Sequence, residues 1–65
     1  MDTAKRAQEL AEQRQLSLFA LAKKCSISYS TLKNARQRGN QLSVDTIELI
    51  CRGLGIKLSD FFAEG

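Results

Sequence analysis

The sequence has no histidine, no proline and only two cysteines, and these shortages exclude most chemistry before any motif is sought. Without histidine there is no Ser-His or Cys-His nucleophile pair, and no side chain that shuttles protons near neutral pH. Cys25 and Cys51 stand 26 positions apart with no CxxC pair, which fits no familiar zinc spacing. A disulfide between them is one reading; in a cytosolic chain the favoured one is two small buried thiols. No metal, cofactor, small-molecule ligand or enzymatic activity is expected. Long apolar runs are missing too, and none approaches the ~20 residues of a membrane-spanning helix. Met1-Asp2-Thr3-Ala4-Lys5-Arg6 has no apolar stretch behind it of the kind a signal peptide shows. A cytoplasmic chain with no membrane partner is the expectation.

What is present is a foldable chain of 65 residues, 43% hydrophobic and 26% charged. This length predicts a single domain over 1–65, burying about 60% of the surface its unfolded chain exposes. The net charge of +3 averages unlike segments. Residues 1–16 are neutral. Residues 17–40 hold Lys23, Lys24, Lys33, Arg36 and Arg38 with no acid, a net +5. In residues 41–65, Asp45, Glu48, Asp60 and Glu64 outweigh Arg52 and Lys57, a net −2. An acid-free basic stretch in the middle of the chain is the footprint of a surface for phosphate or another polyanion.

Apolar residues recur at spacings of three and four, the helical period, and no strand pattern appears. A first helix over Thr3 to Arg14 puts Ala7, Leu10 and Ala11 on one face, with Thr3 available as N-cap. One local pattern then occurs three times: Leu16-Ser17 with Leu21, Ile27-Ser28 with Leu32, and Leu42-Ser43 with Ile47. Each serine is placed to cap a helix, and each apolar pair to staple its entry. The second helix is predicted over Leu18 to Cys25 and the third over Tyr29 to Arg38, stopped by Gly39. Three residues between two short helices impose a large crossing angle, as in a helix-turn-helix. A fourth helix over Val44 to Leu54 turns Ile47, Ile50, Cys51 and Leu54 inward and ends at Gly55. A short fifth, Ser59 to Ala63, pins Phe61 or Phe62 onto the core.

Read in order, these blocks resemble the Cro/repressor-type helix-turn-helix family of bacterial and phage DNA-binding proteins. The resemblance covers Leu10 to Phe62. It rests on Leu16-Ser17 with Leu21-Ala22 and Ile27-Ser28-x-x-Thr31-Leu32; on Gly39 with Ser43-Val44-x-Thr46-Ile47; and on Leu54-Gly55-Ile56-x-Leu58-x-x-Phe61-Phe62. It implies an all-α, compact five-helix lambda-repressor-like DNA-binding domain, with a helix-turn-helix formed by helices 2 and 3. Four positions depart from the family pattern. Leu18 replaces the usual glutamine that opens the second helix, and Ser26 replaces the glycine of the turn. Arg36 stands for a late acidic residue, and Leu42 for a proline.

The resemblance further implies a transcriptional regulator, expected to be a repressor, that binds double-stranded DNA in a bacterial or phage setting, in the cytoplasm at the nucleoid. Its third helix is expected in the major groove. Tyr29, Ser30, Lys33 and Asn34 point outward and are the base-contacting candidates; Leu32 and Ala35 are needed for packing. Asn34 suits a bidentate pair with adenine. Thr31, Arg36, Arg38 and Asn40 are phosphate candidates, joined by the N–H groups near Ser17 and Leu18. A homodimer on a pseudo-palindromic operator is expected, with Leu49, Phe61 and Phe62 at its interface. The competing reading is a protein-interaction module that keeps the fold and binds a partner through Leu18, Phe19 and Leu49.

Overall fold

Signals that start and stop helices lay out the molecule. A computed structural model describes residues 1–63; Glu64, counted in the charge of the last segment, lies outside the described residues. The elements are α1 (Thr3–Gln13), α2 (Leu18–Lys24), α3 (Tyr29–Arg38), α4 (Val44–Leu54) and α5 (Leu58–Phe62). Among the described residues there is no strand.

Two of the three repeated serines cap as their position dictates. Ser17 Oγ accepts from the Ala20 N–H at 3.0 Å and Ser43 Oγ from the Thr46 N–H at 3.2 Å. Ser28 also sits at the N-cap, but its hydroxyl bonds to Ser30 Oγ at 2.8 Å instead of to the backbone. At α1 the expected cap is corrected. Asp2, not Thr3, accepts from the Lys5 N–H, at 3.0 Å. Both residue types cap well, and a distant contact decides between them. Thr3 is buried, its N–H and Oγ1 donate to Gln41 Oε1 at 2.9 and 2.7 Å, and its Oγ1 accepts from the Leu42 N–H at 2.7 Å. The start of the chain is thereby clasped to the α3–α4 connection.

The helix ends share one device. After α1, α2, α3 and α4 the chain passes through a left-handed residue, respectively Gln15, Ser26, Gly39 and Gly55. The next N–H then returns to a carbonyl in the last turn: Leu16 to Ala11, Ile27 to Ala22, Asn40 to Ala35 and Ile56 to Cys51, at 2.8–3.0 Å. These are Schellman motifs. Leu16 and Ile27 serve twice, packing after one helix and stapling the entry to the next, which is why four residues suffice between helices. Ser26 thus adopts the left-handed conformation that the family's glycine would supply.

Fourteen apolar residues form the buried core, with Phe61, Leu21, Leu32 and Ile50 its largest members. Ala4, Ala7 and Ala11 let α1 approach closely, as does Gly53 in α4, where an added Cβ would overlap Cys25 Sγ and come within 3.1 Å of Cys25 Cα. Both cysteines are free and buried. Burial pushes each thiol above its ordinary range, desolvation being the main cause at both. Phe61 is fully buried while Phe62 stays 46% exposed, so the expected interface role for Phe61 is corrected: its ring fills the core, and Leu49 and Phe62 are what remains at the surface. Arg6 ties α5 to α1, its Nε donating to the Phe61 carbonyl at 2.7 Å and its Nη2 to that of Asp60 at 3.0 Å.

Candidate nucleic-acid interface

Leu32 and Ala35 are buried against α1 and α2, which fixes the rotation of α3. Tyr29, Ser30, Thr31, Lys33, Asn34 and Arg38 are consequently all exposed. The four base-contacting candidates and Thr31 lie within the first six residues of the helix. Arg38 closes the last turn, Gly39 follows, and Asn40 is exposed in the connection beyond.

Arg36 departs from the expectation. It is half-buried, and its Nε donates to Gln8 Oε1 on α1. Position 36 lies one turn beyond Leu32, at the border between the packed and open faces of α3. It therefore joins the α1–α3 seam instead of the open face proposed for phosphate.

The start of α2 adds backbone donors. The N–H groups of Ala20 and Leu21 are satisfied by Ser17 Oγ and the Ser17 carbonyl, so those of Leu18 and Phe19 open the helix with no acceptor inside it. The Leu18 side chain is half-buried against the core. The exposed apolar trio Leu18, Phe19 and Leu49 is thus corrected to Phe19 and Leu49, because position 18 turns inward where α2 leaves its cap.

Electrostatically this region is one-signed. Lys23, Lys24, Lys33 and Arg38 are exposed, and the ion pair found among the described residues, Arg6 with Glu9 at 3.9 Å, lies on α1. Residues 17–40 contain no acid, and among the described residues none of these cations is in an ion pair. Such a surface attracts a polyanion and releases its counterions.

Phe19 and Tyr29 stand on different helices, and the fold joins them. Their rings meet edge-to-face, centroids 5.4 Å apart at 75°, and Lys23 Nζ lies 5.8 Å from the Phe19 centroid. Nothing in the spacing of two aromatics ten positions apart announces this pair; it follows from the crossing of α2 and α3. No cluster of residues suited to hold a metal is found among the described residues, and no helix there is long and apolar enough to cross a membrane.

A family model described as the Cro/C1-type HTH DNA-binding domain matches residues 8–63. Comparisons with curated proteins and with solved structures return no match.

Proposed function

Because the chain belongs to the Cro/C1-type HTH DNA-binding domain family, we propose that it is a single-domain, sequence-specific transcriptional repressor that reads operator DNA with α3. As a member of that family it is a DNA-binding protein and a transcription regulator in general; the rest of this reading is finer. The observation that supports it is the open face of α3, with Tyr29, Ser30, Lys33 and Asn34 exposed together inside an acid-free basic segment. On this reading α3 enters the major groove, Asn34 pairs with an adenine, and Lys33 reaches a guanine edge or a phosphate. Thr31, Arg38, Asn40 and the N–H groups of Leu18 and Phe19 hold the backbone on either side. The setting is the cytoplasm of a bacterium, with the gene belonging to the cell or to a phage.

A second copy docks through α4. Asp45, Glu48, Leu49 and Arg52 are exposed along one stripe of that helix, acids first and the base last. Antiparallel two-fold pairing about Leu49 brings Asp45 of one copy against Arg52 of the other, twice, and the exposed Phe62 is a further candidate for apolar cover. Two reading helices then face two half-sites of a pseudo-palindrome about one helical turn apart, roughly 34–36 Å. Sedimentation on operator DNA checks this: the wild type binds as a dimer, and finding only one copy per operator at high micromolar protein refutes it.

Selection from a pool of randomised duplexes, followed by a salt titration, tests the main reading. The expected result is one enriched, two-fold-related motif whose log K falls linearly with log salt, by about −0.9 for each phosphate engaged. Enrichment of no motif, or binding indifferent to salt, contradicts it.

A further inference from the structure

We propose that the Phe19–Tyr29 pair is a second specificity element, reading thymine C5-methyl groups at the edge of the site contacted by α3. The inference rests on the DNA-binding reading above and adds to it a residue outside the reading helix.

Three observations lead there. Phe19 is 53% exposed and Tyr29 39%, so the pair presents ring surface to the outside while its edge-to-face packing fixes both rings. It stands among cations: Lys23 Nζ is 5.8 Å from the Phe19 ring, and residues 17–40 contain no acid. Phe19 is also the second residue of α2, beside the N–H groups that open that helix, while Tyr29 is the first residue of α3. The rings therefore bridge the starts of the two helices of the turn, between the proposed phosphate contacts of α2 and the proposed base contacts of α3.

A phenylalanine in such a place has a narrow repertoire. It neither donates nor accepts a hydrogen bond, so it cannot distinguish the polar edges of bases. The apolar group that a base pair offers in the major groove is the thymine methyl. A ring already held by a neighbouring ring and flanked by a cation loses little freedom on meeting that methyl, so the contact costs little ordering. Tyr29 keeps its hydroxyl for a phosphate or base edge while its ring supports Phe19.

Replacing thymine by deoxyuridine removes only the methyl. In the tightest-binding duplex recovered from the randomised pool, each thymine is replaced singly, and affinity is measured for wild type and for Phe19→Ala and Phe19→Leu. Burial of one methyl predicts a roughly threefold to fivefold loss at one thymine of each half-site for the wild type. Phe19→Ala loses that sensitivity and Phe19→Leu keeps part of it; both stay cooperatively folded because position 19 is half-exposed and outside the core, with an unfolding midpoint lowered by the loss of the ring pair with Tyr29. A recovered duplex whose thymines all tolerate deoxyuridine overturns the proposal, as does a methyl effect of the same size in Phe19→Ala. Either result leaves the DNA-binding reading intact. Recovery of no preferred duplex overturns that reading, and this proposal with it.

Discussion

Gly53→Ala is expected to destabilise the protein, the reverse of what helix propensity predicts. Gly53 lies in the last turn of α4, in a helix with ordinary backbone geometry. At such a position alanine gains about 0.5–1 kcal/mol over glycine. Here, however, the added methyl overlaps Cys25 Sγ and sits 3.1 Å from Cys25 Cα and 3.2 Å from its Cβ. Cys25 is the residue that ends α2, and it is buried with Sγ directed at the Ile50 carbonyl at 3.8 Å. Neither its backbone nor its short side chain can retreat without moving α2. Overpacking of this kind costs about 1–3 kcal/mol, so the net expectation is a loss of about 1–2 kcal/mol by guanidinium unfolding at unchanged m-value. Cys25→Ala removes the sulfur, so the double variant is less destabilised than the sum of the singles, by about 1 kcal/mol. A Gly53→Ala variant more stable than wild type by ~1 kcal/mol, or strict additivity with Cys25→Ala, refutes the close approach of α4 to the end of α2.

Further outcomes follow from the same geometry. Arg6→Met keeps the aliphatic stem but removes two charge-assisted bonds to the last carbonyls of α5; about 2–4 kcal/mol of stability is expected to go, and a loss below about 0.5 kcal/mol in chemical denaturation contradicts the anchoring role. With no histidine in the chain, stability is expected to stay flat from about pH 6 to 8. Above about pH 9 it falls, because the thiols of Cys25 and Cys51 are raised by burial when folded: the unfolded chain ionises first, and stability is lost as pH rises from the unfolded towards the folded value. Unfolding midpoints across that range check this, and a midpoint that rises with alkali contradicts the sign.

Much of this fold is written in short-range chemistry, which is why it is legible. The end of α3 and both bounds of α4 follow from Gly39, Ser43 and Gly55, residue types with strong local preferences, whereas Ser28 holds the N-cap position of α3 without its hydroxyl capping the backbone. Where two residues share a preference, the sequence cannot choose. Asp2 and Thr3 both suit the cap of α1, and the bond from Thr3 to Gln41, 38 positions away, decides. Phe61 and Phe62 are equally apolar, and only the angle of the five-residue α5 sends the first inward. Gln15 gives no sign of a left-handed conformation; it is forced there because Leu16 must reach both the end of α1 and the start of α2.

The site is legible to the same depth. The outward positions of α3 follow from helical periodicity once Leu32 and Ala35 are assigned to the core. Long side chains at a border escape that logic: Arg36 reads as a groove-side cation, yet one bond to Gln8 assigns it to the seam with α1. Leu18 looked like exposed apolar surface because α2 is too short for periodicity to separate its faces. The Phe19–Tyr29 contact depends on a crossing angle that no local pattern encodes.

The central claim is that α3 reads sequence through its exposed face, and Asn34 tests it most directly. Affinities of wild type and Asn34→Ala are measured in parallel for the selected duplex, for that duplex changed at single adenines, and for random duplex. The account predicts a loss of about 1–3 kcal/mol on the selected duplex, abolished discrimination at one adenine, and an unchanged affinity for random DNA. An equal loss on every duplex, or none on any, contradicts it.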